Sequence, residues 1–291
     1  YALLKGAPLV VKADGLAAGK GVFLCQTTEE AVSAIDSIMG KKLFGEAGAT
    51  VVVEEFLVGE EASFLAVVDG TNIVVLAPSQ DHKAIGEGDT GPNTGGMGAY
   101  SPAPIVKSEI EAEIMRTVIE PTVRGMSEEG KPFAGLLYAG LMIGADKRIK
   151  VLEFNCRFGD PETQPVLMRL KSDLFDLLYN SATGALDGME LDWDPRTAVC
   201  VVMSAGGYPG SYNKGDEITG LASFDGSDDL KVFHAGTKLD GSSVVTAGGR
   251  VLGVTGLGAD INDAIEKTYG AVDKIHFEGA YYRKDIGKKA L

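Results

Sequence analysis

Short runs in which hydrophobic and polar residues alternate make up most of the first third of the chain. In chain order the pattern predicts strands at 8–12 and 22–25 with a glycine-containing loop at 14–21 between them, a helix at 29–39 and a strand at 50–55. Thr27 or Thr28 is expected to cap the helix, because a threonine hydroxyl can accept a backbone N–H of the first turn. The first third therefore reads as a compact unit of strands and one helix.

Strands and amphipathic helices continue through the middle of the chain. The pattern predicts a strand-rich section at 61–78 that turns at Asp69-Gly70, a helix at 107–129, a hairpin that turns at 144–147, and helices at 163–170 and 173–182. The glycine-rich segment 79–100 shows no regular pattern and is expected to form a long loop. Such loops inside compact proteins are usually functional.

The pattern changes near Trp193. From Thr197 onward, short valine-rich strands alternate with glycine-containing turns, and one helix is predicted at 262–274. We therefore expect a domain boundary near 193, followed by a β-rich segment.

Charged and amide side chains cluster where the second strand of the predicted hairpin ends. Residues two apart on a strand point the same way, so Glu153 and Asn155 share one face while Phe154 is expected to turn into the core. One carboxylate and one amide oxygen suit Mg²⁺ that a phosphate chain already partly neutralises. The strand end therefore predicts a magnesium site beside a bound phosphate chain.

A loop with the residues to bind phosphate follows the first strand. Residues 12–21 read KADGLAAGKG, with lysines at 12 and 20 and glycines that let backbone N–H groups approach phosphate oxygens. The loop is one residue shorter than a Walker A loop, and Gly21 stands where that motif has Ser or Thr. By itself the segment fits a phosphate loop and a tight, solvent-exposed hairpin equally well.

A second candidate nucleotide segment, TVVVEEFLVGEE, covers residues 50–61. A strand that ends in this way can present backbone groups to an adenine edge and a carboxylate to ribose hydroxyls. In isolation the segment fits a solvated acidic edge strand better. In combination with the lysine loop and the Glu153–Asn155 strand, the nucleotide interpretation is favoured.

Composition limits the class of protein. The chain has 291 residues, 45% of them apolar and 23% charged, as is typical of a globular protein, with a formal net charge of -14. That charge disfavours nucleic acids and anionic membranes as partners. Three widely spaced cysteines without a CxxC pair indicate a reducing compartment, which favours the cytoplasm or, in a plant, the plastid stroma. No apolar run reaches the roughly 18 residues of a membrane span.

Several motifs together resemble the glycinamide ribonucleotide synthetase family of ATP-grasp enzymes. They are Gln80-Asp81-His82-Lys83, the segment DTGPNTGGMGAYSP at 89–102, residues 138–141, 153–164, 205–210 and 234–237, and YRKDIG at 282–287. The resemblance extends from Pro8 to the end of the chain. The fourteen-residue segment at 89–102 is its most specific part.

The resemblance implies an α+β, ATP-grasp fold and an ATP-dependent carbon–nitrogen ligase. Two αβ subdomains, at 1–66 and 67–192, are expected to clasp ATP, with a small β-rich C-terminal domain at 193–291. The family joins glycine to 5-phosphoribosylamine through glycyl phosphate, and it releases ADP and phosphate. ATP and Mg²⁺ or Mn²⁺ are the expected cofactors.

The resemblance also implies roles for individual residues. Glu153 and Asn155 are assigned to the metal, and Arg157, Lys83 and Asp160 to catalysis. The residues assigned to ATP are Lys12, Gly19, Lys20, Gly21, Glu54, Glu55, Phe56, Leu57 and Glu61. Those assigned to the substrates are Asp81, Asp89, Asn93, Thr94 and Gly95.

Two departures from the family keep alternatives open. Ala84 stands where the family usually has arginine, and nothing before Pro8 matches the family's N-terminal domain, which is expected to pack against this chain. The alternatives are another ATP-grasp carboxylate–amine ligase and a fragment that binds Mg-ATP without turnover.

Overall fold

The computed structural model describes residues 1–17, 21–224 and 226–291. These residues form two compact units, Tyr1–Val58 and Gly59–Leu291. Both units combine antiparallel sheets with helices, so the predicted α+β class is confirmed. The predicted phosphate ligands Gly19 and Lys20 lie outside the described residues.

The first unit is a three-stranded sheet with helices. Its elements are α1 (Ala2–Lys5), β1 (Leu9–Ala13), β2 (Val22–Cys25), α2 (Thr28–Ile35), which a π turn at Asp36–Gly40 extends, and β3 (Val51–Glu55). Strand β1 lies between β2 and β3. The hydroxyl of Thr27 accepts the Glu30 N–H at 3.2 Å and caps α2, which confirms the predicted start of this helix.

The second unit contains the remaining strands and helices. Its first strands are β4 (Glu60–Asp69), β5 (Ile73–Val75), β6 (Gln80–Asp81), β7 (Ala84–Gly86), β8 (Thr90–Asn93), β9 (Gly98–Ser101), β10 (Ala134–Ile143) and β11 (Ile149–Asn155). The later strands are β12 (Thr197–Ser204), β13 (Leu230–His234), β14 (Thr237–Asp240), β15 (Ser243–Thr246) and β16 (Arg250–Gly258). The helices are α3 (Ser108–Ile114), joined by a π turn at Met115–Ile119 to α4 (Glu120–Glu128), α5 (Thr163–Arg169), α6 (Leu174–Thr183) and α7 (Ile261–Val272).

A four-stranded sheet in the order β11-β10-β4-β5 carries apolar clusters on both faces. Phe64 and Leu141 belong to the cluster that includes residues of α3 and α4. Leu65 and Tyr138, which pair across β4 and β10, point to the opposite face and share a cluster with Leu177 of α6. Alternate side chains of these strands therefore pack into two separate cores, one on each face of the sheet.

A five-stranded sheet in the order β13-β16-β12-β9-β6 joins the middle of the chain to its last third. Strand β9 pairs with β12, for example Ala99 with Cys200, and β7 and β8 form a separate hairpin. The prediction of a structureless loop at 79–100 is therefore wrong. One strand partner of β9, β6, lies about twenty residues away, but the other, β12, lies about a hundred residues away, and no local periodicity signals that pairing.

The sequence predicts domain boundaries at 66 and 193, whereas the two observed units divide between Val58 and Gly59. Strand β4 continues unbroken through residues 66 and 67, because its alternation of side chains persists to Asp69, and the first unit ends before this strand. Both sides of position 193 lie in the second unit, where β9 and β12 share one sheet. The division into three segments stays a prediction.

Among the described residues, none of the helices has the length and apolar character that crossing a bilayer requires.

Candidate active site

One face of the four-stranded sheet carries the polar residues that the sequence singled out. Gly140 pairs with Ser63 on one side and with Glu153 on the other, and Tyr138 pairs with Asn155. Paired residues share a face, and so do residues two apart on a strand. Glu153 and Asn155 therefore point from the same face as Ser63 and Tyr138, as the alternation predicts.

Phe154 points to the other face, but it does not enter the core. Its side chain is 43% exposed. Strand β11 is the outer strand of the sheet, so Phe154 has a strand neighbour, Ala139, on one side only. The prediction that Phe154 turns into the core is wrong for this reason.

The centre of the site is a lysine surrounded by carboxylates, which we call the Lys83 cluster (Glu61, Asp81, Lys83 and Glu153). Lys83 Nζ lies 2.7 Å from Glu61 Oε2. Burial opposes protonation of Lys83, but the charges of Asp81, Glu61 and Glu153 outweigh it and raise the lysine pKa. Lys83 therefore remains a cation at neutral pH.

Asp81 shows the opposite effect in the same cluster. Burial raises its pKa to about 7, and Glu162 and Glu61 act in the same direction, while the nearby Lys83 charge opposes the shift. The cluster holds more carboxylates than cations. An added cation would therefore be attracted to it.

A buried network lies beside the Lys83 cluster and fixes Glu162. Ser63 Oγ and Tyr138 Oη donate to Glu162 Oε1 at 3.1 and 2.8 Å, and the two hydroxyls are 2.8 Å apart. Burial and the adjacent negative charge of Glu162 raise the pKa of the Tyr138 hydroxyl. This network holds the base of the candidate site in one arrangement.

Two of the residues assigned to catalysis follow β11, and their surroundings differ. Asp160 accepts a hydrogen bond from Arg250 Nη2 at 2.9 Å, and Arg250 Nη1 donates to the Gly95 carbonyl at 2.7 Å. Arg250 thereby connects Asp160 to the glycine-rich segment. Arg157 is exposed and donates to the Phe158 carbonyl at 2.9 Å, which leaves other guanidinium donors able to face solvent or a ligand.

Apart from Asp81, which ends β6, the residues assigned to the substrates lie along the β7–β8 hairpin and just after it. Thr94 binds the Lys83 carbonyl twice, through its N–H at 2.7 Å and its hydroxyl at 2.8 Å. Asn93 is exposed at the end of β8. Asp89 forms ion pairs with Arg283 at 3.0 Å and with Lys289 at 2.5 Å. Asp89 is therefore occupied by cations from the end of the chain.

His82 is buried between the Asp81 and Lys83 positions. Burial lowers its pKa to about 4, and the charges of Lys289 and Arg283 act in the same direction, so the imidazole is neutral at pH 7. Neither ring nitrogen has a hydrogen-bond partner within the part of the chain that the structure describes. The ring lies 5.8 Å from that of Tyr100.

Most of the described residues assigned to the nucleotide belong to the first unit, whereas Glu61 belongs to β4 of the second. Lys12 of β1 forms an ion pair with Glu54 of β3 at 2.6 Å, and Glu55 ends the same strand. A groove in this unit is lined by residues 5–9 and 53–56, and Phe56 is part of its wall. A Cβ at Gly21 would come within 2.7 Å of the Ala17 side chain, so glycine allows the close approach there.

Sequence reasoning missed several polar residues of the second unit. Glu162 and Tyr138 belong to the motifs at 153–164 and 138–141, but no periodicity indicated that their side chains meet. Ser63 and Arg250 carried no signal, because only the tertiary fold brings them to Glu162 and Asp160.

The donor set at Glu153 and Asn155 fits Mg²⁺. Among the described residues, no group of three or more His, Cys, Asp or Glu side chains forms a complete metal site. A single carboxylate with one amide oxygen suits an ion that takes its other ligands from phosphate oxygens and water. The residues present therefore fit a metal that arrives with a nucleotide.

Comparisons with known proteins match nearly the whole chain. The family profile described as phosphoribosylglycinamide synthetase, ATP-grasp (A) domain, matches residues 2–163, and the C-domain profile of that synthetase matches 198–289. A phosphoribosylamine–glycine ligase from Ralstonia nicotianae is 56% identical over all 291 residues, which cover 68% of that protein.

Solved structures give the same result. The chain is similar to a phosphoribosylamine–glycine ligase from Thermotoga maritima, with a TM-score of 0.84 and 37% identity, over 97% of this chain and 70% of that one. It is also similar to the biotin carboxylase domain of a 2-oxoglutarate carboxylase from Hydrogenobacter thermophilus in complex with MgADP. That similarity has a TM-score of 0.72 at 14% identity and covers 97% of this chain and 60% of the other. At that identity the second similarity concerns the fold alone.

Proposed function

This chain belongs to the phosphoribosylamine–glycine ligase family, ATP-grasp enzymes that make glycinamide ribonucleotide in purine biosynthesis, and we propose that the Lys83 cluster carries out its reaction. An ATP-grasp domain binds ATP. The substrates we propose are glycine and 5-phosphoribosylamine. The observation that carries the proposal is the position of Lys83, 2.7 Å from Glu61 and close to Glu153.

The proposed reaction has two steps. A carboxylate oxygen of glycine attacks the γ-phosphorus of ATP, the bond to the β-phosphate oxygen breaks, and ADP leaves with glycyl phosphate formed. The amine of 5-phosphoribosylamine then attacks the acyl carbon, loses a proton and expels inorganic phosphate. Such an acyl phosphate reacts readily with water, so the site must exclude solvent while it exists.

Glu153 and Asn155 are the residues we assign to the metal. Bound there, Mg²⁺ or Mn²⁺ would neutralise charge on the nucleotide phosphates and orient them. One carboxylate beside one neutral amide leaves the other coordination positions to phosphate oxygens and water. Lys83 keeps its positive charge next to these ligands and supplies a second, fixed cation.

Cations of the site stabilise the charge that develops on the transferred phosphoryl group. We assign this task to Lys83 and to Arg157, whose exposed guanidinium has the forked donors that match phosphate oxygens. Asp160, which Arg250 holds at 2.9 Å, is assigned to orienting the attacking substrate. Fixed groups of this kind lower the barrier because they do not reorganise during the reaction.

Residues near the β7–β8 hairpin are assigned to the substrates. Asp81 lies two residues before Lys83, Asn93 and Gly95 flank Thr94, and Thr94 is hydrogen-bonded to the Lys83 carbonyl. Asp81 has a raised pKa, so it exchanges a proton near neutral pH and suits contact with an amine. We also assign Asp89 to the substrates. Its carboxylate already forms ion pairs with Arg283 and Lys289.

The nucleotide is assigned to the residues that the sequence indicated. Lys12, Gly19, Lys20 and Gly21 are proposed to bind phosphates, and Glu54, Glu55, Phe56 and Leu57 to bind adenine. Glu61 is proposed to bind the ribose hydroxyls. It accepts a hydrogen bond from Lys83, so its carboxylate oxygens are oriented before ligand binds.

Glu153→Ala tests the metal assignment and the reaction together. In the wild-type chain we expect phosphate release that requires ATP, glycine and 5-phosphoribosylamine together. Glu153→Ala should lower this rate by at least about 100-fold, because fixed transition-state charge stabilisation is worth roughly this much or more. Titration calorimetry should show a weaker affinity for Mg-ATP.

The matched control is Glu128→Ala, which removes an exposed carboxylate from α4. Circular dichroism should give the same melting temperature for both variants within a few degrees. Equal rates in the wild type and in Glu153→Ala would contradict the metal assignment. Phosphate release that does not depend on 5-phosphoribosylamine would instead favour a ligase with another amine acceptor.

A further inference from the structure

A fully buried arginine near the end of the chain forms hydrogen bonds with the β7–β8 hairpin. Arg283 has no exposed surface and is the largest side chain buried to this degree among the described residues. Its Nη1 donates to the Ala84 carbonyl at 3.1 Å and to Asp89 Oδ1 at 3.0 Å. One guanidinium group therefore holds the first strand of the hairpin, β7, and the end of the turn that leads into β8.

Further contacts extend this grip to the tip of the hairpin. Asp285 accepts two hydrogen bonds from Arg283, at 2.8 and 2.6 Å, and one from the Gly88 N–H at 2.8 Å. Lys289 pairs with Asp89 at 2.5 Å. We call Arg283, Asp285 and Lys289 the C-terminal clamp.

Burying the guanidinium of the C-terminal clamp costs free energy, which suggests that the clamp serves a purpose other than stability. A buried guanidinium loses its hydration, and two carboxylates only partly offset that loss, so apolar residues of similar volume would stabilise the fold as well or better. An arginine instead fixes geometry, because its planar guanidinium sets the angles of several hydrogen bonds at once. The clamp is thus suited to positioning the hairpin more than to stabilising the unit.

The hairpin in turn positions the backbone of Lys83. Ala84, whose carbonyl Arg283 binds, is the next residue after Lys83. At the other end of the hairpin, Thr94 binds the Lys83 carbonyl through both its N–H and its hydroxyl. Movement of the hairpin would therefore shift Lys83 relative to Glu61 and Glu153 on the sheet.

We propose that Arg283 is a positioning residue for the reaction, which fixes the β7–β8 hairpin and through it Lys83, without touching a substrate. This role rests on the proposed function for its catalytic consequence. The contacts of the hairpin can be tested independently of any reaction. The role also accounts for the YRKDIG segment at 282–287, which no part of the proposed mechanism uses.

Arg283→Met and Arg283→Lys test the role in two ways. Amide hydrogen exchange should become at least about tenfold faster for residues 84–94 in Arg283→Met, and the lysine variant should recover part of the protection. The kcat for glycinamide ribonucleotide formation should fall at least about tenfold in Arg283→Met. The KM for ATP should change less than kcat does, because, of the residues assigned to ATP, Glu61 is linked to the hairpin through Lys83, while Lys12 pairs with Glu54 inside the first unit.

Arg169→Met is the matched control. Arg169 is also a buried arginine, but it binds Ser101 and the carbonyls of Asp194 and Arg196 and has no contact with the hairpin. This variant should lower the melting temperature without faster exchange at 84–94 and without the loss of kcat. A fall of kcat in Arg169→Met equal to that in Arg283→Met would overturn the proposal, because the effect would then follow general destabilisation.

If Arg283→Met does not fold, Lys289→Met tests whether the C-terminal clamp holds the hairpin in place. Lys289 is exposed and contacts the hairpin through Asp89, so its loss should raise exchange at 84–94 by about threefold. Unchanged exchange in this variant, or in a folded Arg283→Met, would overturn the proposal. If the wild type shows no ligase activity, the proposed function fails. If the hairpin loosens while kcat stays at the wild-type value, the positioning role fails.

Discussion

Lys83 is the residue on which the electrostatics of the site depend. Three carboxylates, from Glu61, Asp81 and Glu153, act on it, so its positive charge is maintained despite burial. The same charge opposes the rise in the pKa of Asp81. The residue thus holds together a group of acids that would otherwise repel one another, and it leaves the cluster with a net negative charge that favours an incoming metal–nucleotide complex.

Lys83→Met should remove most of the ligase activity. Methionine keeps much of the side-chain volume but leaves the acids without a cation beside the transferred phosphoryl group. We expect kcat to fall at least about 100-fold, the range seen when one fixed charge-stabilising donor is lost. Steady-state phosphate release measures the effect, and Lys131→Met, at an exposed position, is the control. A Lys83→Met enzyme that keeps a third or more of the wild-type kcat would contradict the assignment.

At the scale of elements, β9 has to fit between its partner strand β12 and the side chain of Ile286. A Cβ at Gly98 would lie 2.6 Å from the Cys200 carbonyl oxygen and 2.7 Å from the Ile286 side chain. Glycine at this position lets β9 approach both β12 and the end of the chain. The close packing explains how a strand of four residues keeps its place in the five-stranded sheet.

Gly98→Ala and Gly125→Ala should therefore change stability in opposite directions. Alanine at 98 would clash with the Cys200 backbone and should destabilise the second unit by about 1–3 kcal/mol, the range of overpacked cores. Gly125 lies inside α4 with no atom within 4 Å of an added Cβ, and alanine there should stabilise by about 0.5–1 kcal/mol. Urea unfolding of both variants measures the two changes, and equal stability of Gly98→Ala and the wild type would show that β9 has room to move.

Local pattern explains which elements were predictable from the sequence. The helix at 107–129 and the hairpin that ends at Asn155 follow from alternation and turn residues, and the structure confirms both. The pairing of β9 with β12 joins residues about a hundred positions apart, so no local signal exists for it. The exposure of Phe154 likewise depends on β11 being an outer strand, which alternation does not reveal.

Some residues of the candidate site were also predictable from local pattern, and others were not. Glu153 and Asn155 were predictable because the two-residue period of a strand places them on one face. The ion pair of Lys83 with Glu61 and the grip of Arg283 on Asp89 were not, because each joins segments that only the tertiary fold brings together. Asp89 illustrates the difference. Its motif indicated a substrate contact, whereas the structure places its carboxylate against two cations.

At the scale of the whole molecule, a polar seam joins the helices of the middle segment to the last third of the chain. Buried Arg169 at the end of α5 donates to the Arg196 carbonyl at 2.7 Å, to the Asp194 carbonyl at 3.2 Å and to Ser101 Oγ at 2.9 Å. Arg196 binds the Asp194 carboxylate with its guanidinium and also pairs with Asp229. The position near 193, where the sequence changes its pattern, is therefore crossed by several hydrogen bonds.

Asp194 should make the stability of the second unit depend on pH in the acid range. Hydrogen bonds from Arg196 lower the pKa of Asp194 to about 2, from an unfolded value of about 3.9. Because the folded pKa is the lower one, the ion pair contributes its full stability above about pH 5, and this contribution is lost as the pH falls from about 5 toward 2. Arg196 is partly exposed, so solvent screening limits the contribution to roughly 1–2 kcal/mol.

Asp194→Asn separates this contribution from the general effect of acid on a chain with 41 acidic residues. At pH 7 the variant should be less stable than the wild type by about 1–2 kcal/mol in urea unfolding, and the difference should shrink steadily at pH 4.5, 4.0 and 3.5 as the wild-type carboxylate loses its advantage. Asp187→Asn, at an exposed position, should show a difference near zero at every pH. A gap between Asp194→Asn and the wild type that stays constant from pH 7 to 3.5 would mean that the asparagine fails for steric reasons, and that the ion pair across the seam does not control stability in acid.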